Sequence, residues 1–165
     1  MTRSPDKADT LRTLGAEPVV CDVFDADTFR DAVVSFAPDA VIHQLTDLPG
    51  DVRRLHEYRD ANNRIRREGT HNLLAAAQAA GTVRRFLAQS VAWQLPGDGG
   101  AATEELERAV LGAGGVVLRY GRFYGPGTYY ERKAPEPPRI HVDDAALRTV
   151  SALETASGVL VVVED

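Results

Sequence analysis

The sequence has one cysteine, no metal-binding histidine pattern and no long apolar run, and each absence excludes a class of protein. Cys21 alone cannot form an internal disulfide or a cysteine metal cluster, and its apolar neighbours indicate a core thiol. Neither HxH nor HExxH spacing occurs, so we expect no metal site. No segment reaches the roughly 20 apolar residues that span a bilayer, and the first residues lack the apolar stretch of a signal peptide. We therefore expect no membrane contact and a cytoplasmic location.

Basic residues are also too scattered for a nucleic-acid surface. The formal net charge is -5, whereas phosphate binding requires clustered lysines and arginines. The longest basic cluster, Arg64, Arg66 and Arg67, is interrupted by Ile65 and followed by Glu68. We expect this cluster to form the solvated face of a helix, and we expect the partner of the protein to be a small-molecule substrate and no nucleic acid.

The composition that remains is that of one globular domain. The chain has 165 residues, of which 44% are hydrophobic and 26% charged, and no linker or internal repeat divides it. Helix and strand signals alternate along it, as in α/β proteins with a parallel sheet covered on both faces. We predict a single domain over residues 1–165, with helices at 4–14, 25–36, 51–80, 103–111 and 141–155 and strands at 17–21, 40–43, 85–89, 116–119 and 159–163.

Short motifs occur in a fixed order at the ends of these elements. They are Val41-Ile42-His43-Gln44-Leu45, Glu68-Gly69-Thr70-His71-Asn72, Phe86-Leu87-Ala88-Gln89-Ser90-Val91, Arg119-Tyr120-Gly121-Arg122-Phe123-Tyr124-Gly125 and His141-Val142-Asp143-Asp144-Ala145. In this order they resemble extended short-chain dehydrogenases of the epimerase/dehydratase kind. The resemblance implies a Rossmann-like parallel sheet.

The resemblance also assigns two vestiges of a dinucleotide site. Thr2-Arg3-Ser4 is similar to the end of the family's second strand, where a basic residue meets the 2′-phosphate of NADP. The run from Val20 to Val23 resembles the turn after the third strand, where Asp22 would lie beside the adenine. Arg3 and Asp22 are therefore vestigial cofactor-binding residues.

The chain departs from the family at its catalytic tyrosine and lysine. The family uses a YxxxK pair on a helix after the serine that Ser90 resembles, in which the lysine lowers the pKa of the tyrosine. Residues 91–116 contain no tyrosine and no lysine. Tyr129 and Lys133 have the spacing, but they lie among glycines and prolines after a later strand, and we interpret them as part of a loop.

The second departure is the family's glycine turn, which binds the pyrophosphate at the start of the first helix. The run from Gly97 to Gly100 does not directly follow a strand, and the run from Gly112 to Gly115 precedes one, so we interpret both as turns. A Rossmann-like sheet without its first βαβ unit would leave a gap between the strands at 17–21 and 40–43. We expect the sheet to be rearranged or completed by a homodimer.

A polar crevice would remain at the carboxyl ends of the strands. A histidine there can act as a base, hydroxyl groups can donate to a developing oxyanion, and an aspartate can orient a histidine or cap a helix. The candidate catalytic residues are His43, Ser90, Tyr120, Tyr124, His141 and Asp143.

Three functional classes follow from these residues. Loss of both the glycine turn and the YxxxK pair favours a cofactor-independent isomerase, lyase or cyclase of a small carbonyl-containing metabolite, with no cofactor expected. The first alternative is an NAD(P)-dependent epimerase, dehydratase or reductase whose glycine turn comes from an upstream segment or another chain. The second is a non-catalytic ligand-sensing or interaction module.

Overall fold

A computed structural model describes residues 1–164 of the chain. It has an α/β architecture with a parallel sheet. The helices are α1 (Ala8–Thr13), α2 (Ala26–Phe36), α3 (Arg59–Arg64), α4 (Thr70–Ala80), α5 (Asp98–Gly112) and α6 (Val142–Ser151). The strands are β1 (Ala40–His43), β2 (Arg85–Val91), β3 (Val116–Tyr120), β4 (Arg122–Tyr124), β5 (Arg139–His141) and β6 (Gly158–Val162).

The main sheet is parallel throughout and has the order β1-β2-β3-β6. A small parallel pair, β4 and β5, adjoins it through Gly121, whose amide donates to the carbonyl of Val162 at 3.0 Å. Apolar side chains of β2 alternate between the two faces of the sheet, as strand geometry requires. Phe86 packs in the core beneath α2, α4 and α5, and Leu87 packs in a second core that includes α6.

Local signals account for several element ends. The carboxylate of Asp25 accepts a hydrogen bond from the amide of Thr28 at 3.3 Å and so caps α2, as predicted. Gly81, with φ of 67°, ends α4 in the left-handed conformation that glycine adopts readily.

The predicted helix over residues 51–80 is a succession of helical types. A 3-10 segment (Val52–Tyr58) leads into α3, a π-helical turn (Ile65–Gly69) follows, and α4 completes the run. Asn62, in α3, and Thr70, at the start of α4, lie on either side of the π-helical turn.

One predicted strand is absent, and the predicted start of one helix was wrong. Residues 17–21 form no strand, because their only β-pairing is an isolated bridge between Thr2 and Val20. Helix α5 begins at Asp98, five residues before the expected start, after Gly97 adopts φ of 58°. Thr103 is therefore inside the helix, where its hydroxyl donates to the carbonyl of Gly99 at 2.8 Å.

The sheet is not rearranged within residues 1–164. Each crossover between β1, β2, β3 and β6 keeps the next strand beside its predecessor, and the Thr2–Val20 bridge stays separate from β1. The far edge of β1 is left without a strand partner in this part of the chain, and Ile42 beside it is 41% exposed.

Candidate functional site

The six predicted site residues lie in five separate hydrogen-bonded groups. His43, Ser90 and Tyr120 belong to three neighbouring strands, and each bonds to a different helix. Tyr124 and His141 lie side by side on β4 and β5. The structure therefore gathers the predicted residues at one end of the sheet but does not join them into one proton relay.

His43 has the environment of a core residue. It is 1% exposed, and its two ring nitrogens are both engaged. Nδ1 accepts from the amide of Leu45 at 3.2 Å, so Nε2 carries the proton and faces the hydroxyl of Thr70 at 3.0 Å. Burial lowers the pKa of His43 to about 4. The imidazole is neutral at pH 7 and ties the end of β1 to α4.

Ser90 donates to a buried carboxylate that the sequence did not single out. Its hydroxyl lies 2.5 Å from Oε1 of Glu107, on α5. Arg119, on β3, donates two hydrogen bonds to the same carboxylate, from Nε at 2.9 Å and from Nη2 at 2.6 Å. Burial would raise the pKa of Glu107, but the hydrogen bonds from Arg119 and Ser90 outweigh it and hold the pKa below its ordinary value. Helix α5, on which the resemblance would place YxxxK, thus presents a carboxylate to the sheet.

Tyr120 also has its hydroxyl committed. Thr149 donates its own proton to the carbonyl of Ala145, so the phenol donates to Thr149 Oγ1 at 2.5 Å. Gln44 Nε2 donates to the phenol oxygen at 3.1 Å. Burial raises the pKa of Tyr120. Its role in this arrangement is to join the end of β3 to α6.

Tyr124 and His141 are more accessible. Their rings meet edge to face with centroids 5.1 Å apart. The Tyr124 hydroxyl donates to Glu164, which raises the pKa of the phenol, and Arg139 pairs with the same carboxylate at 2.9 Å. His141 Nδ1 accepts the amide of Asp143 at 3.3 Å, so the histidine caps α6 rather than Asp143, whose side chain is 79% exposed.

A cavity of about 230 Å³ lies between the Thr2–Val20 bridge and the carboxyl end of β1. Its apolar floor includes Val23, Phe29 and Ile65, each less than 5% exposed. The remaining lining residues are Met1, Thr2, Arg3, Ser4, Lys7, Cys21, Gln44, Leu45 and Thr46.

Of the two residues predicted to be vestiges of a cofactor site, one lines this cavity and the other is next to lining residues in the sequence. Arg3 lines it and pairs with Asp47 at 3.0 Å. Asp22 follows the lining residue Cys21, and its carboxylate accepts the amide of Phe24 at 3.0 Å. These two side chains could hold an adenosine end of a dinucleotide.

The displaced tyrosine and lysine are in a loop, as predicted. Tyr129 donates to the carbonyl of Pro49, and Lys133 is exposed in a segment without helix. No helix among residues 1–164 is long and apolar enough to cross a membrane. The same residues contain no group of three histidine, cysteine or acidic side chains placed to hold a metal ion.

The sequence predicts that the basic cluster forms a solvated helix face, but Arg66 is partly buried. Arg64 pairs with Glu68 and Arg67 with Asp98, but the Arg66 guanidinium is partly buried, and its hydrogen-bond partner is the side-chain oxygen of Asn63 at 3.3 Å. Its spacing of four residues from both Asn62 and Thr70, which are buried, is the feature of the sequence that accompanies its burial.

Comparison with known proteins places this geometry in a family. A sequence model described as the NAD dependent epimerase/dehydratase family matches residues 1–109. A curated relative from a Streptomyces species, 3-diazoavenalumate denitrifying reductase, is 37% identical over 89% of this chain and 62% of its own length.

Solved structures share the fold. UDP-glucose 4-epimerase of Thermus thermophilus, solved with NAD, has a TM-score of 0.71 at 20% identity, over 90% of this chain and 64% of its own. The dTDP-4-dehydrorhamnose reductase of Bacillus anthracis, solved with NADP, has a TM-score of 0.68 at 17% identity, over 88% and 63%. The chain spans less than two thirds of each of these relatives. It belongs to the NAD-dependent epimerase/dehydratase family.

Proposed function

We propose that this chain forms the substrate crevice and most of the cofactor site of a nicotinamide-dependent reductase that acts on a diazo compound. The observation that carries the proposal is the replacement of a tyrosine and lysine relay by the buried Glu107 on α5. Identity of 37% to a reductase whose name gives a diazo acid as substrate supports the same class. The comparisons support this alternative better than a cofactor-independent isomerase, lyase or cyclase.

The residues around the cavity fit the adenosine side of a dinucleotide. Lys7, and Arg3 if it leaves its ion pair with Asp47, supply positive charge in the lining, which suits the 2′-phosphate of NADP. The apolar floor between the Thr2–Val20 bridge and β1 suits the side chains of one more parallel strand. A glycine turn is not among these 165 residues, so we propose that a segment outside them supplies it at this gap.

If the diazo substrate reacts as its diazonium ion, its chemistry removes the need for a proton relay. A bound nicotinamide cofactor supplies a hydride. When hydride replaces dinitrogen on a diazonium carbon, the new C–H bond takes both electrons of the hydride, the C–N pair leaves with N₂, and no proton is required. Reduction of a carbonyl, in contrast, ends on an alkoxide that must be protonated. Ser90, Tyr120 and His43, whose protons are all committed, are consistent with the first reaction.

Tyr124 and His141 are then substrate-facing residues in this proposal rather than an acid and a base. Their partly exposed rings provide an aromatic wall beside the crevice. Asp143 has no role in this chemistry beyond the first turn of α6.

Cofactor binding is the first test. We would titrate two proteins with NADPH and NADH and follow cofactor fluorescence: the chain as it is, and the chain preceded by a family strand, GxxGxxG turn and helix. We expect the extended protein to bind NADPH more tightly than about 100 µM, roughly 5 to 6 kcal/mol, and the chain alone to bind at least about tenfold more weakly. Failure of the extended protein to bind either cofactor would return the cofactor-independent class to first place.

Substrate choice is the second test. With NADPH present, we expect the extended protein to release N₂ from 4-carboxybenzenediazonium faster than heat-denatured protein does, and to leave 4-carboxybenzaldehyde unreduced. Reduction of the aldehyde alone would indicate an ordinary carbonyl reductase and overturn the diazo assignment.

A further inference from the structure

Arg66 carries a charge that the surrounding protein does not neutralise. Among residues 1–164, no carboxylate lies within ion-pairing distance of its guanidinium, and Asn63 Oδ1, at 3.3 Å, is a neutral acceptor. Burial lowers the pKa of Arg66, in contrast to Arg64 and Arg67, whose carboxylate partners raise theirs. A partly desolvated cation without a counterion costs free energy, so an anionic ligand beside it would be stabilised.

The neighbours of Arg66 locate it at the crevice. Asn62, one turn before it, accepts the amide of Asp47 in the loop after β1 at 3.1 Å. Thr70, one turn after it, contacts His43 at the carboxyl end of β1. Arg66 lies between these two contacts on the same helical face. Its side chain therefore leaves the helix near the carboxyl end of β1, where the ligand crevice opens.

The first turn of α5 lies near Arg66 on the side away from β1. Asn63, which accepts from Arg66, donates its own side-chain amide to Asp98 Oδ2 at 2.9 Å. Asp98 in turn is bound by Arg67 at 2.6 Å, which leaves that carboxylate committed to a different arginine. The guanidinium of Arg66 therefore lies beside Asn63, which is bound to the first residue of α5, and it has donors to spare.

The backbone at Arg66 is also irregular. Ile65–Gly69 is a π-helical turn, with α-helix on both sides. Such turns are rare and occur frequently at functional sites. Gly69 closes the turn against Val23, a residue of the cavity floor, so the turn links the cavity and the crevice.

We propose that Arg66 binds an oxyanion of a ligand in the crevice. The planar guanidinium matches a carboxylate or a phosphate with two parallel hydrogen bonds. The oxyanion has two possible sources, a carboxylate on the substrate or a phosphate of the dinucleotide. The proposal deepens the proposed function, because it makes the substrate class anionic if the first source applies, but the oxyanion site itself does not depend on nicotinamide chemistry.

Binding without cofactor tests the site. We would follow the Arg66 Nε–H resonance of the chain by NMR during titration with benzoate, with benzamide as a neutral match of similar shape, and with inorganic pyrophosphate. Saturable shifts with benzoate and none with benzamide support a substrate carboxylate. Saturable shifts with pyrophosphate alone assign the site to the dinucleotide. Shifts that are equal for benzoate and benzamide, or absent for every anion, overturn the proposal.

Variants separate this role from a structural one. Arg66→Gln should weaken the binding of the successful anion at least about tenfold, and Arg66→Lys should retain part of it because the charge remains without the fork. The control is Arg64→Gln, which removes an exposed arginine of the same cluster and should leave anion binding unchanged. Equal loss in both variants would contradict a specific site.

Thermal unfolding completes the test. An arginine kept for structure would lower the melting temperature when it is replaced, whereas a desolvated cation kept for a ligand should not. We expect Arg66→Gln to melt at the same temperature as the parent protein or a few degrees higher. A large fall in melting temperature together with unchanged anion binding would assign Arg66 to the fold. Because no nicotinamide is used, a negative NADPH titration and a negative anion titration are separate results.

Discussion

The buried imidazole of His43 makes the stability of the protein sensitive to mild acid. Thr70 and the amide of Leu45 hold it in its neutral form, with a folded-state pKa of about 4 against an ordinary value of 6.5. The unfolded chain therefore takes up a proton at a higher pH than the folded chain does. Stability from this group is complete above pH 6.5 and is lost as the pH falls toward 4.

We predict that this loss amounts to about 3 kcal/mol between pH 7 and pH 4. The free energy of unfolding from urea titrations at several pH values measures it. His43→Asn, which keeps an acceptor for Leu45, should reduce the acid sensitivity relative to the parent chain. His56→Gln, which removes an exposed histidine, should leave it unchanged. Parallel pH profiles for the parent and His43→Asn would show that His43 does not titrate in this way.

Residue identities at the strand ends could be predicted, but their partners could not. Ser90 and Tyr120 follow buried apolar runs, which is a local signal. Glu107 and Thr149 lie 17 and 29 residues further along on helices, and only the packing of those helices decides which side chain meets the strand. For the same reason, the charge run around Arg66 did not indicate which arginine would be buried.

At the scale of the element, the sequence predicted the helices and strands better than it predicted their first and last residues. The strand at residues 40–43 and the caps at Asp25 and Gly81 rest on patterns within a few residues. The segment at 17–21 has the composition of a strand, but a strand also needs a neighbour to pair with, and only Thr2 is there. Whether a segment finds a strand to pair with depends on the whole fold, and the local sequence does not show it. For this reason the predicted strand at 17–21 was wrong.

The junction between β3 and β4 depends on a glycine. A Cβ at Gly121 would lie 2.6 Å from backbone atoms of Arg139, which is too close for the small sheet to stay beside the main one. We predict that Gly121→Ala lowers the free energy of unfolding by about 1 to 3 kcal/mol, as measured by urea titration.

Gly112→Ala is the matched control for this change. Gly112 ends α5 with open space around it, so a methyl group there should be neutral or stabilise the protein by up to about 1 kcal/mol. If Gly121→Ala were as stable as Gly112→Ala, β4 and β5 would have to move freely relative to β3.

At the scale of the whole molecule, the open edge of β1 leaves backbone groups and Ile42 uncovered. Two copies could pair their β1 edges across a two-fold axis, which closes the assembly. We predict that the chain is a homodimer in solution, with twice the 17.9 kDa chain mass by light scattering. Ile42→Lys should weaken the dimer at least about tenfold.

The same edge connects this prediction to the cofactor site. If a strand carrying the glycine turn fills the gap beside β1, the edge is no longer available, so the extended protein should not dimerise through β1. Phe36→Lys, at an exposed position on α2, should leave the dimer intact. A monomeric chain, or a dimer that Ile42→Lys does not affect, would contradict pairing through this edge.

The π-helical turn at Ile65–Gly69 also has a consequence for insertions and deletions. A π turn holds one residue more than an α turn, so deleting a single residue there would let the helix run on as a regular α-helix with its two flanks still in phase. Asn62 and Thr70 would then still share a helical face and keep their contacts with Asp47 and His43, and only the residues of the turn, Arg66 among them, would change direction. A one-residue gap at this position should therefore separate relatives that keep an arginine in the crevice from those that do not.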